Sequence, residues 1–521
     1  MANRAQPISA LAGIGAAVAV LVLCATLLPL GAVFLRAEEA SGLRAADWAA
    51  IRFTLLQAAL SAFFSVLLAI PVARALARRN FTGRRAVITL MGAPFVLPVI
   101  VAVMGLLAVF GRNGFVSHAL GVFGLPPIEI YGLHGVVLAH VFFNLPLATR
   151  LILHGWLAIP SERFRLARSL GFSPSDIQRH FERPMLRATV PGVFLVIFLL
   201  CTTSFAVALI LGGGPRATTV ELAIYQAFRF EFDLSRAAYL AVIQVGICAI
   251  AGIVLLWRAA PQTLGAGLDR VTENQAPKSH VMLVQDVLAI GLAAAFLALP
   301  MLALVLGGIG DVLGLPEVVW RAAIRSIIMA VLSAILAIGF ALPMAALMAR
   351  RAWRLGVDVI GALSIAVSPL VIGTGLFLIL HPIMNPTQLA LPVTVFVNAL
   401  MSLPFLLRAL APAYLQAERS QGRLADALGL RGWNRLRHAI LPRLMRPLGF
   451  GAGIAAALSM GDLGVIALFS SPSQSTLPLE MYRLMGSYRT NDAQGAALVL
   501  LFLSLALFWI FDRGGRVNAK A

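Results

Sequence analysis

Two basic segments of the chain carry the same spacing of apolar, basic and turn-forming residues. Residues 165–184 read RLARSLGFSPSDIQRHFERP, and residues 423–442 read RLADALGLRGWNRLRHAILP. The residue types that the two segments share at an offset of 258 positions are Arg165/Arg423, Leu166/Leu424, Ala167/Ala425, Leu170/Leu428, Gly171/Gly429, Arg179/Arg437, His180/His438 and Pro184/Pro442. Because glycine takes a positive φ at helix ends, the shared glycine predicts a chain reversal between two short helices.

The first short helix of each segment is amphipathic. Leu424, Ala425 and Leu428 recur at i, i+1 and i+4, which predicts a short apolar face opposite arginines. One interpretation is a helix held on the membrane surface by anionic lipid. Docking onto a protein partner is the favoured interpretation, because lipid anchoring does not require one spacing to occur in two diverged copies.

The second short helix has a readable start in the first copy. Ser173 is predicted as its N-cap, with Pro174 and Asp176 in its first turn. Pro184 and Pro442, each 13 residues after the glycine, mark the start of the next helix. Each segment is therefore predicted to form a helix, a glycine turn and a helix on the inner face of the membrane.

A second group of residues could contact a substrate inside the membrane. Asp462 is the only charged residue of the apolar run 448–469, and at the offset of 258 it corresponds to Ser204. Ionisable groups at membrane depth are functional candidates by default. The other residues predicted to line a central path are Thr202, Thr203, His140, Asn144 and Asn398, together with Ser402. The alternative is that these side chains join helices by hydrogen bonds or satisfy freed backbone groups.

Motifs for catalysis and nucleotide binding are missing from the sequence. It contains no G-x-x-x-x-G-K-[ST] loop, no H-E-x-x-H, no G-x-S-x-G and no Cys/His cluster. Cys24, Cys201 and Cys248 lie in apolar runs without metal-ligand spacing and are interpreted as small buried hydrophobes. We therefore expect no enzyme activity, metal or cofactor in this chain, and any ATP must be bound by a partner subunit.

These residues must be positioned by membrane-spanning helices. Of the 521 residues, 60% are hydrophobic and 12% are charged, about half the charge of a soluble domain. The apolar runs without a charged residue are 8–35, 53–73, 86–110, 192–214, 237–257 and 326–349, and the run 448–469 has Asp462 alone. The weaker runs are 135–149, 281–310, 355–380, 389–407 and 495–511. The sequence thus predicts an all-α polytopic membrane protein with about 12 transmembrane helices.

The net charge of +19 is interpreted as a topology signal. Most arginines fall in segments on one side of the predicted spans, and the positive-inside rule assigns that side to the cytosol. Both termini are then cytosolic. A nucleic-acid interface is not indicated, because no basic face interleaved with exposed aromatic residues is present.

The chain reads as two copies of one unit. The segment at 61–79 resembles that at 333–351, and TTVELAIYQ resembles STLPLEMYR at an offset of 257. We expect a first half at 1–260, a cytosolic linker at 261–280 and a second half at 281–521. The basic segments lie in loops at 161–187 and 416–446. Six spans per half give both copies the same orientation, unlike the inverted repeats of many secondary transporters.

The basic segments resemble the cytoplasmic coupling loop of ABC-importer permeases, whose pattern is E-A-A, three residues, G, nine residues, I-x-L-P. Positions that match this pattern are Ala167, Gly171, Pro184, Ala425, Gly429, Leu441 and Pro442. Positions that depart from it are Arg165 and Arg423 in place of the glutamate, Leu166 and Leu424 in place of the first alanine, and Phe181 and Ala439 in place of the isoleucine. The resemblance implies that both segments couple the chain to an ATPase.

Several further stretches are similar to the fused permeases of bacterial thiamine importers. They are GRNGF, YGLHGVVLAHVFFNLP, LGGGPRATTVELAIYQA, SMGDLGVIALF and SYRTNDAQGAALVLL. The resemblance implies import of thiamine and its phosphates through the bacterial inner membrane. It also implies two copies of an ABC ATPase subunit and a periplasmic thiamine-binding protein as partners.

Other functions remain open from the residues alone. The same permease class also imports ferric iron or polyamines, and an ion-driven secondary transporter is a candidate from another class. The latter needs a richer set of intramembrane carboxylates than Asp462 supplies. The segments TTVELAIYQAF and STLPLEMYRLM are predicted as short outer helices that contact a binding protein or, alternatively, cap the mouth of a pore.

Overall fold

A computed structural model describes residues 10–38, 42–92, 96–258, 280–350, 352–469 and 474–518. Of the predicted linker at 261–280, only His280 is among them, as the first residue of a helix, and the remainder lies outside the described residues. Helices and short connecting turns form the structure throughout these ranges. The predicted all-α polytopic class is thereby confirmed.

The chain up to residue 258 forms twelve α-helices in the described ranges. They are α1 (Ala10–Ala37), α2 (Ala45–Arg78), α3 (Arg84–Leu90), α4 (Val99–Phe110), α5 (Phe115–Val122), α6 (Leu133–Leu157), α7 (Ser161–Ser169), α8 (Pro174–Ile177), α9 (Arg183–Thr202), α10 (Ala206–Leu211), α11 (Val220–Arg229) and α12 (Leu234–Arg258). Two further short turns are a π turn at Gln178–Glu182 and a 3₁₀ turn at Pro215–Ala217.

The chain from residue 280 repeats this order with ten described α-helices. They are α13 (His280–Gly308), α14 (Glu317–Met348), α15 (Arg354–Ala366), α16 (Pro369–Leu380), α17 (Ala390–Ala427), α18 (Gly432–Arg435), α19 (Leu441–Met460), α20 (Gly464–Phe469), α21 (Leu477–Gly486) and α22 (Thr490–Asn518). Three further short turns are 3₁₀ turns at Val312–Gly314 and Pro386–Leu389 and a π turn at Leu436–Ile440. We call the end of the bundle that carries α7, α8 and α18 the loop end, and the opposite end the far end.

Eleven helical segments of the described chain are long and apolar enough to cross a membrane. The ninth predicted span, 355–380, is not one of them, because it is broken into α15 and α16. The third, predicted over 86–110, is likewise divided into α3 and α4. Proline disfavours a helical conformation at the preceding residue. Pro98 and Pro369 stand at the starts of α4 and α16, so each break follows from the sequence.

The two spans that follow the basic segments begin earlier than predicted. Pro184 and Pro442 occupy the first turns of α9 and α19, as expected. A π turn precedes each proline, however, and runs without interruption from α8 into α9 and from α18 into α19. A π turn shifts the local hydrogen-bonding pattern, so the helix continues although proline has no N–H to donate. The second short helix is therefore the extension of a span.

The first helix of each half packs against the other half. α1 lies on α14 and α16, while α13 lies on α2 and α4. Two glycines permit the closest approaches. A Cβ atom on Gly105 would lie 2.6 Å from the Pro300 carbonyl oxygen, and one on Gly375 would lie 2.3 Å from that of Pro29. Gly105 and Gly375 occupy equivalent positions, so the same crossing is built twice.

Replacing Gly375 by alanine is expected to lower the stability of the folded chain. The added methyl group must push α1 away from α16, an overpacking cost of about 1–3 kcal/mol. The check is the thermal unfolding midpoint in detergent. Gly31→Ala is the matched control, because Gly31 lies in α1 with no heavy atom within 4 Å of the new Cβ. Equal midpoints for the two variants would contradict the close crossing.

Candidate translocation site and docking loops

A polar cluster joins three helices of the first half. The Ser61 hydroxyl of α2 lies 3.3 Å from Nδ1 of His140 in α6. The Asn144 amide donates to the His140 carbonyl oxygen at 2.8 Å and to the Cys201 sulfur of α9 at 3.4 Å. His140 and Asn144 are both buried. Their hydrogen bonds hold α2, α6 and α9 together.

The second half contains the equivalent cluster. The Asn398 amide donates to Ser459 at 3.1 Å, and Ser459 donates to Ser333 at 3.1 Å. The Ser402 hydroxyl donates to the Asn398 carbonyl oxygen at 2.7 Å. These residues correspond in order to His140, Cys201, Ser61 and Asn144. In this structure His140, Asn144 and Asn398 form contacts between helices, whereas the Ser402 hydrogen bond lies within α17.

Thr202, Thr203 and Ser204 lie where α9 ends. Thr202 is buried, and its carbonyl oxygen accepts a hydrogen bond from Gln244 of α12 at 2.8 Å. Thr203 and Ser204 are half-buried in the short loop between α9 and α10. The Thr203 hydroxyl donates back to the Leu199 carbonyl oxygen at 3.3 Å. Of these residues, Thr203 and Ser204 lie in the loop, and Thr202 lies in the helix that precedes it.

Asp462 occupies the equivalent loop between α19 and α20. Its Oδ1 accepts from the Val465 backbone N–H at 3.4 Å, and its buried Oδ2 has no hydrogen-bond partner among the described residues. The Asn398 side chain lies beside it. Next to Asp462, a Cβ on Gly464 would lie 3.6 Å from the Phe205 ring. The loops after α9 and α19 thus lie close to each other across the two halves.

The structure adds a carboxyl group that the sequence analysis did not select. Glu221 of α11 is fully buried, it forms no ion pair with any described residue, and the Ser368 side chain at the start of α16 lies beside its carboxyl group. The predicted outer helices are mainly buried, since most residues of α11 and α21 are inaccessible. The Val220 N–H of α11 donates to Thr54 of α2 at 2.9 Å. A single carboxylate on an otherwise apolar helical face was the signal available in the sequence.

Ion pairs fix the far end of α11 to the first half. Arg236 of α12 pairs with Asp47 of α2 at 2.6 Å and with Glu231, which follows α11, at 2.5 Å. Arg44 also pairs with Glu231, at 3.0 Å. The Arg236 hydrogen bond lowers the pKa of the Glu231 carboxyl group. The position of α11 is therefore coupled to α2 and α12.

The glycine turn is the same in both basic segments. Gly171 has a φ of +70° and Gly429 a φ of +67°. After each glycine, the next backbone N–H donates to an alanine carbonyl oxygen at 2.9 Å, from Phe172 to Ala167 and from Leu430 to Ala425. This is the hydrogen-bond pattern of a Schellman motif.

The apolar residues of each first short helix divide between two faces. Ala167 and Ala425 are buried, with 1% of their surface exposed. The leucines are 56–66% exposed; they are Leu166, Leu170, Leu424 and Leu428. Arg165, Arg423, Pro184 and Pro442 are also exposed, and Leu441 is half-buried. Each turn thus presents two leucines and an arginine at the loop end.

Different contacts hold the two loops in place. In the first, Ser173 and Asp176 form the predicted capping box, which is confirmed. The buried Glu182 also pairs with Arg74 of α2 at 2.7 Å. In the second, α17 continues into the loop and Arg435 pairs with Glu418 and Asp426. The same glycine turn is therefore held in place by different interactions in the two segments.

One buried ion-pair group joins the halves at the loop end. Asp286 of α13 pairs with Arg78 at 2.7 Å and with Arg79 at 2.8 Å, and both arginines lie at the end of α2. The Asp286 side chain is only 4% exposed.

Comparisons with known proteins agree with this architecture. The family described as "Binding-protein-dependent transport system inner membrane component" matches residues 337–520. The thiamine transport system permease protein of Brucella abortus (strain 2308) is 39% identical over 91% of this chain and 89% of its own length. That of Escherichia coli (strain K12) is 38% identical over 91% and 90%, and that of Haemophilus influenzae is 34% identical over 88% and 87%. The chain therefore belongs to the family of thiamine transport system permease proteins, which are multi-pass inner-membrane proteins.

Proposed function

We propose that this chain is the membrane-spanning permease of an ABC importer that carries thiamine, and its phosphate esters, from the periplasm to the cytosol. The observation that carries the proposal is the pair of glycine turns, which present equivalent exposed leucines at one end of the bundle. The permease relatives, named for thiamine transport, support the choice of substrate. ATP hydrolysis takes place in a separate subunit.

The proposed partners follow from the two ends of the bundle. Two copies of the ATPase dock at the loop end, one on each segment, and a periplasmic thiamine-binding protein delivers substrate at the far end. The loop end and both termini are cytosolic. The halves 1–260 and 281–521 surround the path, and ATP binding closes the two ATPase copies beneath the loops to alternate access.

Reconstitution of the chain in proteoliposomes tests the proposal. The chain is combined with the ATPase and the binding protein, and thiamine-stimulated ATP hydrolysis and radiolabelled thiamine uptake are measured. Both are expected to require ATP. Uptake driven by a proton or sodium gradient without ATP would reject an ABC importer, while ATP-driven uptake of ferric iron or a polyamine in place of thiamine would reject the substrate.

Replacing Asp462 by asparagine is expected to lower thiamine uptake about tenfold, the effect of about 1.4 kcal/mol. Thiamine carries a fixed thiazolium charge, which a carboxylate attracts in a low-dielectric path. Initial uptake rates at equal amounts of protein provide the measurement. Asp311→Asn is the control, because Asp311 lies at the far end and makes no side-chain capping bond. Wild-type uptake by the Asp462 variant would remove this residue from the path.

A further inference from the structure

One face of α11 combines a carboxyl group with aromatic rings. Glu221, Tyr225 and Phe228 follow at i, i+4 and i+7, the spacing of one helical face. α11 packs against α16 of the second half. Ser368, at the start of α16, lies beside Glu221, and the Phe377 ring lies 4.4 Å from that of Phe228. The two helices therefore run side by side across the boundary between the halves.

Glu221 is enclosed without a positive partner. The residue is 0% exposed, within the described ranges neither carboxyl oxygen takes part in an ion pair, and Ser368 is the polar side chain that lies beside the carboxyl group. Burial of an unpaired carboxylate costs several kcal/mol. A group of this kind inside a membrane protein points to a ligand that pairs with it.

Aromatic rings surround the same boundary. The Tyr225 ring lies 5.2 Å from Phe205, and Phe377 lies 5.7 Å from Phe469 of α20. Tyr482 of α21, the equivalent of Tyr225, lies near it, as do the charged groups of Arg229 and Arg483. The faces of aromatic rings attract cations, and offset rings stack on one another. Carboxyl group and rings together suit a flat aromatic cation.

Glu221 and Asp462, the two carboxyl groups at the boundary, do not occupy equivalent positions of the two halves. At the offset of 257, Pro478 of α21 takes the place of Glu221. At the offset of 258, Ser204 takes the place of Asp462. Leu370, two residues after Ser368, contacts the loop of Asp462 through Gly464. Each half therefore contributes one of these two carboxyl groups, and both lie near the start of α16.

We infer that Glu221, with the rings of Tyr225, Phe228 and Phe377, forms a transient binding site for an aromatic cation on the translocation path. The inference rests on the proposed function, in which the thiazolium and pyrimidine rings of thiamine supply such a cation. In the present structure the rings contact one another, so the site is closed. It opens when α16 moves away from α11, whose far end stays tied to α2 and α12.

The first test is uptake by a Glu221→Gln variant in proteoliposomes with the ATPase and the binding protein. Glutamine keeps the shape and cannot ionise when a cation enters, so thiamine uptake is expected to fall about tenfold or more while ATP hydrolysis without thiamine is unchanged. Glu221→Asp should retain part of the uptake. Glu480→Gln is the matched control, because Glu480 lies on the equivalent helix α21 and pairs with Arg483.

The second test measures whether position 221 opens to the path. Glu221→Cys is made in a chain whose native cysteines, Cys24, Cys201 and Cys248, are replaced. A cationic methanethiosulfonate is expected to label it during ATP turnover, faster than an anionic one, and thiamine is expected to slow the labelling.

The outcomes separate the inference from the proposed function. Thiamine uptake by the wild type, combined with unchanged uptake by Glu221→Gln, would overturn the inference alone. Absence of labelling at position 221 during turnover would do the same, even if the glutamine variant failed to fold. Failure of the wild type to take up thiamine at all would reject the proposed function and this site with it.

Discussion

Replacing Gly171 and Gly429 together by valine is expected to abolish thiamine uptake and to leave the chain folded in the membrane. Both glycines have positive φ angles, +70° and +67°, which cost an L-residue about 1–2 kcal/mol and a β-branched one more. No heavy atom of the described residues lies within 4 Å of a Cβ at either position, so the effect comes from backbone conformation. The strained turn would redirect the exposed leucines away from the ATPase.

The measurement is uptake together with ATP hydrolysis and co-purification of the ATPase. Gly171→Asn with Gly429→Asn is the graded control, because asparagine tolerates the left-handed conformation and should retain part of the uptake. Gly356→Val controls for valine itself, since Gly356 has no positive φ and a Cβ there would meet no atom of the described chain within 4 Å. Wild-type coupling in the double valine variant would favour lipid anchoring of the segments over protein docking.

The repeated turn was predictable because it depends on local chemistry. A glycine at a helix end, a capping box at Ser173 and a proline in the first turn each act within a few residues. The orientation of the short helices was not predictable in the same way. Periodicity groups Leu424, Ala425 and Leu428 on one side, but only the tertiary structure buries the alanine and exposes the leucines.

The breaks in the third and ninth spans were missed in the sequence for a different reason. Hydrophobicity identifies both segments as spans, and it conceals the interruptions because the residues around Pro98 and Pro369 are apolar. The prolines were the available signal. Glu221 was overlooked because its segment follows a glycine-rich turn outside the long apolar runs, where charge is ordinary. It is buried because α11 packs against α2, α12 and α16, and both α2 and α16 lie far away in the chain.

Sequence periodicity also could not predict that α1 and α13 each pack on the opposite half, since an apolar helix does not specify its neighbour. This packing affects the stability of the folded chain. Asp286 joins α13 to the end of α2 through two arginines, so this group of charges carries part of the connection between the halves. Gly105 and Gly375 allow α13 and α1 to pack closely on the opposite half, at equivalent positions.

Replacing Asp286 by alanine is therefore expected to destabilise the chain by about 3–5 kcal/mol, the cost of leaving buried charges without a partner. Both arginines lose their Asp286 carboxylate, and α13 loses its ion pairs with α2. The midpoint of unfolding in detergent measures the effect. Glu317→Ala is the control, because Glu317 and Arg321 form an exposed pair whose loss costs about 0–1 kcal/mol.

A triple variant separates the contribution of the charges from that of the packing. Asp286→Leu combined with Arg78→Met and Arg79→Met removes the whole ionic group and keeps apolar volume, a change that is often neutral in buried sites. Recovery of stability in the triple variant would show that unpaired charge causes the loss in Asp286→Ala. If Asp286→Ala were as mild as Glu317→Ala, the ion pairs would not hold the halves together, and the exchanged packing of α1 and α13 would have to do so alone.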